Sequence, residues 1–338
     1  MNAWWIIGLL LIGVGVLFWP QIGLVARWRH ARELAERSQR EDVLKHLLKC
    51  EANGRQASLD TIAGTLHIST GDAADLVQDL EERELVSHED SRLRLEASGR
   101  EMALHIVRAH RLWESYLAEQ TGVAETEWHQ RAERQEHLLT PQETDALSAK
   151  LGNPTHDPHG DVIPGRQENL PADEGQPLGA LPVEARAVIT HIEDEPPTIY
   201  AQLCAQGLRP GMRITVLEKA PQRVRFWADG NEHVLAPVLA NNITVTALTE
   251  AQVVAEEKFL NQLQRGERAK VLGLAPACRG AERRRLLDLG FVAGTPVEIE
   301  IASPLGDPVG YRVRGTVIAL RREQAGLIRI TPEEVVAA

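Results

Sequence analysis

The sequence is poor in cysteine, in aromatic residues and in net positive charge. Its three cysteines are widely separated and form no Cys-x-x-Cys pair, which indicates a reducing compartment and excludes a thiolate metal cage. The formal net charge of -11 argues against broad, nonspecific affinity for nucleic acid, because such affinity requires Lys and Arg to neutralise phosphates. The length of 338 residues still suffices for roughly two to four domains with buried cores.

An uncharged run occupies residues 3–26. It is long enough to cross a bilayer core of roughly 30 Å, and Trp4, Trp5 and Trp19 lie where interfacial aromatic belts form. A cleaved signal peptide is the alternative, but here the positive charges follow the apolar run instead of preceding it. We therefore predict a single-pass anchor at residues 1–28 in the inner (cytoplasmic) membrane of a bacterium, with the other domains in the cytoplasm.

The pattern of residues 29–98 predicts a charged linker helix followed by a winged helix-turn-helix. Ser58 is placed to cap one helix, and Ser69 with Asp72 forms a capping box for the next. Two short β-rich runs around a polar turn then predict a two-stranded wing.

The second helix of this module would read DNA, and it is acidic. Six carboxylates lie between residues 72 and 84, against one arginine. A recognition helix normally brings Arg, Lys, Asn or Gln to the base edges. The candidate DNA-binding residues are therefore Ser69, Thr70 and Gln78, and the alternative is that the module has a structural or dimer-supporting role.

Imidazoles and carboxylates recur at helical spacing between residues 110 and 137. One pair is His110 and Glu114, and a longer stripe follows: His129, Glu133, Glu136 and His137. On a helix this spacing puts the side chains on one face. Nitrogen and oxygen ligands together suit Fe(II), Mn(II) and other divalent transition metals. The alternative is a solvated helix face without any metal.

A loop rich in proline and glycine, residues 151–165, ends the helical region. His156, Asp157 and His159 in this loop could ligate a metal, although such residues more often satisfy the backbone groups of turns. Residues 166–178 are predicted to form an exposed linker.

Beyond the linker, short β-rich runs alternate with Gly/Pro turns. A repeat relates residues 206–216 to residues 288–299, and in each copy a helix end, a glycine turn and a strand follow one another. Two small β-barrels in tandem are therefore predicted, at residues 179–250 and 251–338. Neither contains a recognisable catalytic constellation.

Residues 39–165 resemble the iron- and manganese-dependent repressors of the DtxR/MntR type. The resemblance lies in the winged helix and in the motifs His110-Arg-Leu-Trp-Glu114 and His129-x-x-x-Glu133-x-x-Glu136-His137. Residues 179–331 resemble two FeoA-type, SH3-like domains, the first of them degenerate. The fold class implied is multidomain α+β: an N-terminal transmembrane helix, a winged helix-turn-helix, an all-α metal-binding and dimerisation domain at residues 99–165, and two SH3-like barrels.

The resemblance implies two metal sites. The first would be formed by Asp42, Glu133, Glu136 and His137, and the second by His110, Glu114 and His129. Ligands of oxygen and nitrogen alone fit Fe(II) or Mn(II) as the cofactor. Lys45 stands where the manganese type has a further carboxylate, which argues against a dinuclear manganese site.

The function that the resemblance implies is that of a membrane-anchored, homodimeric transcriptional regulator, in which metal binding couples the dimerisation domain to DNA binding. The alternative is a metal sensor that binds no DNA and acts by protein contact on a FeoB-like membrane iron transporter. An enzyme is not expected, because the Glu-x-x-His motif of di-iron carboxylate oxidases does not occur twice in the helical region.

Overall fold

Helices dominate the described chain up to residue 150, and strands dominate it from residue 176 onwards. The computed structural model describes residues 24–89, 92–165, 170–171, 175–228, 231–248, 258–275, 278–303 and 306–332. These residues divide into two compact units. The first unit holds the described residues up to 109, together with 135–141 and 164–171, and the second holds 110–134, 142–163 and 175–332.

The first unit contains the predicted helix-turn-helix and its wing. Its elements are α1 (Leu24–Ala52), α2 (Leu59–Leu66), α3 (Thr70–Glu82), β1 (Val86–Glu89), β2 (Arg92–Leu95) and the start of α4 (Ala97–Gln120). Ser58 caps α2, because its Oγ accepts the Thr61 N–H at 3.2 Å. Ser69 caps α3 by accepting the Asp72 N–H at 3.1 Å, and Asp72 accepts the Ser69 N–H in return. The antiparallel pairing of β1 with β2, with Val86 opposite Leu95, confirms the wing.

One apolar cluster holds these elements together. Val43, Leu44 and Leu47 of α1 are fully buried against Ile62 of α2 and Leu80 of α3. Each such side chain contributes about 1.5–3 kcal/mol when it is removed from water. This packing therefore fixes the position of α1 and, with it, the positions of the polar residues on the same helix.

The predicted membrane segment needs correction. Residues 3–23 lie outside the described residues. No helix within the described residues is both long enough and apolar enough to cross a membrane. The first described helix, α1, begins at Leu24 and carries exposed charged residues such as Arg32 and Glu36. The predicted location in the inner membrane is wrong for the part of the chain that the structure describes.

The predicted helical region between residues 99 and 150 is confirmed. After α4, a short 3-10 turn (Glu125–Glu127) leads into α5 (Trp128–Glu136) and then α6 (Pro141–Lys150). Five apolar residues of α4 are buried and form part of its packed face: Leu104, Ile106, Val107, Leu112 and Leu117.

The second unit contains two six-stranded antiparallel sheets. The elements of the first are β3 (Gln176–Pro177), β4 (Arg186–Ile192), α7 (Pro197–Ala205), β5 (Arg213–Ala220), β6 (Arg223–Ala228), β7 (Asn231–Leu235), α8 (Pro237–Ala240) and β8 (Ile243–Ala247). Those of the second are β9 (Lys258–Phe259), β10 (Arg268–Leu274), α9 (Gly280–Asp288), β11 (Pro296–Ala302), β12 (Val309–Val313), β13 (Thr316–Leu320), α10 (Arg322–Ala325) and β14 (Ile328–Pro332).

The two sheets have the same topology. The strand order is β3-β8-β4-β5-β6-β7 in the first and β9-β14-β10-β11-β12-β13 in the second. Each sheet covers its own apolar core, one around Phe226 and the other around Phe291. The internal repeat read from the sequence is therefore a repeat of structure.

Candidate metal centres

The first candidate centre consists of Asp42, Glu136 and His137 and is called the Asp42 centre below. Asp42 lies on α1, whereas Glu136 ends α5 and His137 follows it directly. The His137 Nε2 atom is 3.3 Å from Asp42 Oδ1 and 3.6 Å from Glu136 Oε1. One nitrogen and two carboxylates thus converge at a point where Glu136 is almost fully buried.

The other ring nitrogen of His137 faces a carboxylate that lies behind the centre. Nδ1 is 2.7 Å from Oε2 of the buried Glu41. A carboxylate can only accept, so Nδ1 carries the proton and Nε2 is directed at Asp42 and Glu136. Histidines that bind metals are commonly oriented in this way. Burial by itself would lower the pKa of His137, but the hydrogen bonds to Asp42 and Glu41 raise it to about 9.

A lysine shares the Asp42 centre. The Lys45 Nζ atom is 2.9 Å from each of the two carboxylate oxygens of Glu136. Lys45 lies one turn beyond Glu41 on α1, so the same helix supplies Asp42 and the ammonium group. Without a metal, one positive charge therefore already faces Glu136.

The second candidate centre is built around Glu114 and is called the Glu114 centre below. It comprises His110, Glu114, His129, Asp157, His159 and Asp194. His110 and Glu114 are one turn apart on α4, and His110 Nε2 is 3.1 Å from Glu114 Oε1. The same oxygen is 3.5 Å from His129 Nδ1, on α5. Both α4 residues are buried, and the Glu114 side chain is only 1% exposed.

The proline- and glycine-rich loop reaches the Glu114 centre through His159. His159 Nδ1 is 3.3 Å from Glu114 Oε2, so the two oxygens of Glu114 face different histidines. Asp157 has the turn role considered from the sequence, because its Oδ1 accepts the N–H groups of His159, Gly160 and Asp161 at 2.8–2.9 Å. His156, in contrast, is exposed and contacts its neighbour Thr155.

A residue that the sequence did not identify completes the Glu114 centre. Asp194 follows β4 in the first sheet domain, and its Oδ2 is 2.6 Å from His129 Nδ1 and 3.8 Å from His159 Nδ1. The available signal was the acidic run of residues 193–195 between a strand and two prolines. Such runs are common on loops, so the sequence could not connect this one to the helices.

Glu133 lies at the edge of the Glu114 centre. Its Oε1 is 3.4 Å from His129 Nε2, and Glu195 Oε1 is 3.5 Å from the same nitrogen. The structure thus groups Glu133 with His129 and Glu195, and groups Asp42 with Glu136 and His137. The Glu133 side chain is half exposed, unlike the buried Glu114.

The electrostatics of the Glu114 centre are dominated by close carboxylates. Burial raises the pKa of a carboxylic acid, but His110 and His159 hold the pKa of Glu114 well below its usual range. Burial, together with Asp161 and Glu114, raises the pKa of Asp157 to about 7. Burial would lower the pKa of His159, yet Glu114 raises it to about 10.

Several buried polar atoms of the Glu114 centre have no hydrogen bond to any residue that the structure describes. They are His129 Nδ1, His129 Nε2, His159 Nε2 and Asp157 Oδ2. The contacts of His129 with its carboxylates meet the distance of an ion pair but not the geometry of a hydrogen bond. Buried polar groups are normally satisfied, so atoms of this kind call for a further ligand. The donors are oxygen and nitrogen only, which fits Mn(II) or Fe(II).

The three candidate DNA-binding residues are all exposed at α3. Ser69 and Thr70 lie at its N-terminus, and Gln78 donates to Glu82 at 3.0 Å along the helix. The acidic character of α3 persists in the fold, although Asp79 is paired with Arg83 and Arg40.

Two family models match the chain. The metal binding and dimerisation domain of iron dependent repressors matches residues 96–165. The FeoA domain matches twice, at residues 176–247 and 259–332.

Similar proteins include a repressor and a membrane protein. The iron-dependent repressor IdeR of Mycobacterium leprae is 30% identical over 163 residues, which cover 43% of this chain and 68% of the repressor. A probable metal transport system membrane protein of Chlamydia trachomatis is 44% identical over 82 residues, which cover 24% of this chain. The match spans only 18% of the length of that relative.

Among solved structures, a manganese-dependent transcriptional repressor in complex with manganese is similar to this chain. The TM-score is 0.57 and the sequence identity is 29%. The similarity covers 62% of this chain and 100% of the repressor.

Proposed function

The chain belongs to the iron-dependent repressor family, and on this premise we propose that it is a homodimeric transcriptional regulator that binds DNA in response to Fe(II) or Mn(II). The observation that supports this most is the convergence of two sets of oxygen and nitrogen ligands, most of which lie within the matched repressor domain. Members of this family are repressors, so the chain is not an enzyme.

Each centre has a proposed ligand set. In the Asp42 centre, Asp42, Glu136 and His137 would hold one divalent cation. In the Glu114 centre, the ligands would be drawn from His110, Glu114, His129, His159 and Asp194. The bound cation would supply two positive charges where carboxylates otherwise repel one another. The histidines must lose a proton to bind, so metal binding would release protons near neutral pH.

The Asp42 centre would couple metal binding to the orientation of the helix-turn-helix. Asp42 lies on α1, whose apolar side packs against α2 and α3. Glu136 and His137 come from the end of α5. A cation held from both sides would fix the orientation of α1, and with it the DNA-reading helix α3.

Metal binding at the Glu114 centre would connect the repressor domain to the first FeoA domain. Asp194 belongs to this domain, whereas His110, Glu114 and His129 belong to the repressor domain. Metal held by all four would fasten one domain to the other. We place Glu133 at the edge of this centre, because the ligand groups that lie next to it in the structure are those of His129 and Glu195.

DNA contact is proposed through α3. Ser69, Thr70 and Gln78 are the residues proposed to reach base edges, since their side chains are exposed and can donate or accept hydrogen bonds. The acidic residues of α3 would weaken the attraction to phosphates, so binding requires positive charge elsewhere on the module.

Fluorescence anisotropy on the DNA upstream of the protein's own gene tests this proposal. The full chain is titrated with Mn(II), with Fe(II) under anaerobic conditions, and with a chelator. We expect metal-dependent binding that weakens with salt and is lost in a Glu136→Gln and His137→Ala double variant. Exchange of the exposed Glu101 for Gln provides a matched control. Equal binding with metal and with chelator would disprove the metal dependence.

A second function is favoured by the Chlamydia trachomatis relative, which is described as a metal transport system membrane protein. In this case the protein would sense the same cations and act by contact with a metal transporter, such as one of the FeoB type. Crosslinking in cells that express a FeoB-like transporter distinguishes the two functions. A metal-dependent crosslink without DNA binding supports the second one, and DNA binding without a crosslink supports the first.

A further inference from the structure

A cavity of about 490 Å³ lies beside the wing, and none of its lining residues belongs to either candidate metal centre. The end of α1, the segment that follows it, the strand β2 and the start of α4 form its walls. Four arginines line it: Arg55, Arg92, Arg94 and Arg100. In a chain with a net charge of -11, such a concentration of guanidinium groups needs an explanation.

The acidic residue among the described lining residues, Glu51, is already engaged. Its Oε1 accepts the backbone N–H of Leu95 at 3.1 Å, and its Oε2 pairs with Arg100. Glu51 therefore joins α1 to the wing and neutralises one arginine. The described lining residues thus carry four guanidinium groups against one carboxylate, and the other three arginines are Arg55, Arg92 and Arg94.

These three arginines are accessible. Arg92 and Arg94 are exposed on β2, where they alternate with the buried Leu93 and Leu95. Residues two apart on a strand point to the same side and are separated by about 7 Å. Arg55 is exposed in the segment between α1 and α2. The three side chains thus present several separate binding points along one wall.

The free side of β2 adds a backbone donor. Leu95 directs its N–H away from β1, towards Glu51. Antiparallel ladders alternate, and the pair formed by Leu93 and His88 is of the same kind as the pair formed by Leu95 and Val86. Leu93 therefore directs its N–H to the same side, where an oxyanion in the cavity can accept it.

We propose that this cavity binds phosphates of the DNA backbone, with Arg55, Arg92 and Arg94 as the phosphate-binding residues. The inference rests on the proposed DNA-binding function and specifies where the duplex is held. Arginine forms paired, charge-assisted hydrogen bonds with phosphate. The cavity supplies the positive charge that the acidic helix α3 lacks.

The salt dependence of DNA binding tests this inference. The triple variant Arg55→Gln, Arg92→Gln, Arg94→Gln is compared with the full wild-type chain, both loaded with Mn(II), on the same duplex. Each phosphate contact contributes about 0.9 to the slope of log K against log salt concentration. We expect the slope of the triple variant to be smaller by about 2–3. The matched control replaces three exposed arginines of the second FeoA domain, Arg284, Arg285 and Arg321, with Gln and should keep the wild-type slope.

The outcomes separate this inference from the proposed function. An unchanged slope in the triple variant overturns the inference and leaves DNA binding intact. A wild-type chain that binds no duplex even at low salt overturns both. Calorimetric titration with inorganic phosphate and with pyrophosphate forms a further arm. Binding of these anions that is lost in the triple variant, together with an unchanged DNA slope, would assign the cavity to free phosphate and overturn the DNA proposal. Equal melting temperatures of the two triple variants would show that the arginine changes leave the fold intact.

Discussion

Lys45 is the side chain that most restricts what the Asp42 centre can hold. Its Nζ is 2.9 Å from both oxygens of Glu136, and both side chains are largely buried. An ammonium group in this position supplies charge that a second cation would otherwise supply. We therefore expect the Asp42 centre to take a single ion, in agreement with the expectation that the sequence raised at this position.

Replacing Lys45 with Gln should strengthen metal binding at the Asp42 centre. The change removes a unit charge a few ångströms from the incoming cation, which corresponds to an affinity gain on the order of tenfold or more. Calorimetric titration with Mn(II) measures it. Lys49→Gln, an exposed change on the same helix, serves as the control and should bind as the wild type does. A Lys45→Gln variant with weaker Mn(II) binding would mean that the lysine assists the metal.

Replacing Asp194 with Asn should weaken the Glu114 centre and leave the Asp42 centre unchanged. Asp194 contacts His129 at 2.6 Å, so the change removes a charged ligand from the proposed set. We expect a loss of about 10- to 100-fold in Mn(II) affinity, comparable to losses at other metal-site residues. The neighbouring Glu193→Gln is the control, since Glu193 is half exposed and faces His191. Equal affinities in the two variants would remove Asp194 from the ligand set.

Local spacing explains which site residues were predictable. His110 and Glu114, like Glu136 and His137, are close in the sequence, and the helical repeat alone brings each pair together. His159 lies 45 residues from Glu114, and Asp194 belongs to another domain. Only tertiary packing brings these residues together, and the spacing of residues along the sequence does not predict such packing.

At the scale of elements, the loop that carries His159 is held against β4 by a glycine. Gly160 has a φ of +100°, and a Cβ there would lie 1.9 Å from the carbonyl oxygen of Thr190. The His159 carbonyl accepts the Ile192 N–H at 3.0 Å on the same stretch. The close approach of the two backbones therefore positions His159 in the Glu114 centre.

Replacing Gly160 with Ala should destabilise the chain by about 2–4 kcal/mol, because a left-handed backbone and a backbone clash act together. Gly152→Ala is a matched control, since Gly152 also has a positive φ but has no atom within 4 Å of the added Cβ. We expect Gly152→Ala to lower the free energy of unfolding by only about 1 kcal/mol. Urea unfolding measures both free energies. Equal losses would show that the contact with Thr190 contributes nothing.

The elements themselves were largely predictable, because their signals are local. Capping residues marked the starts of α2 and α3, and alternating apolar residues marked the strands of both sheets. The membrane segment predicted at residues 1–28 lies mostly outside the described residues. The first described helix, α1, has a charged and largely exposed N-terminal half.

At the scale of the whole molecule, metal should stabilise the fold. Ligands that bind the folded state alone add about 2.7 kcal/mol at a hundredfold excess over Kd. Domains of about 150–250 residues gain roughly 2–4 °C per kcal/mol. The melting temperature should therefore rise by several degrees with Mn(II) and fall again with a chelator. A Glu114→Gln, Glu136→Gln double variant should lose this response, and a shift that survives in it would point to metal bound elsewhere.

Equilibrium dialysis followed by elemental analysis gives the number of Mn(II) ions that each chain binds, and so tests directly whether two separate centres hold divalent cations. Glu136→Gln should remove one ion per chain, Glu114→Gln should remove the rest, and Glu101→Gln should remove none. If the wild-type chain retained no Mn(II), or if all three variants bound as many ions as the wild type, the proposed pair of metal centres would be contradicted.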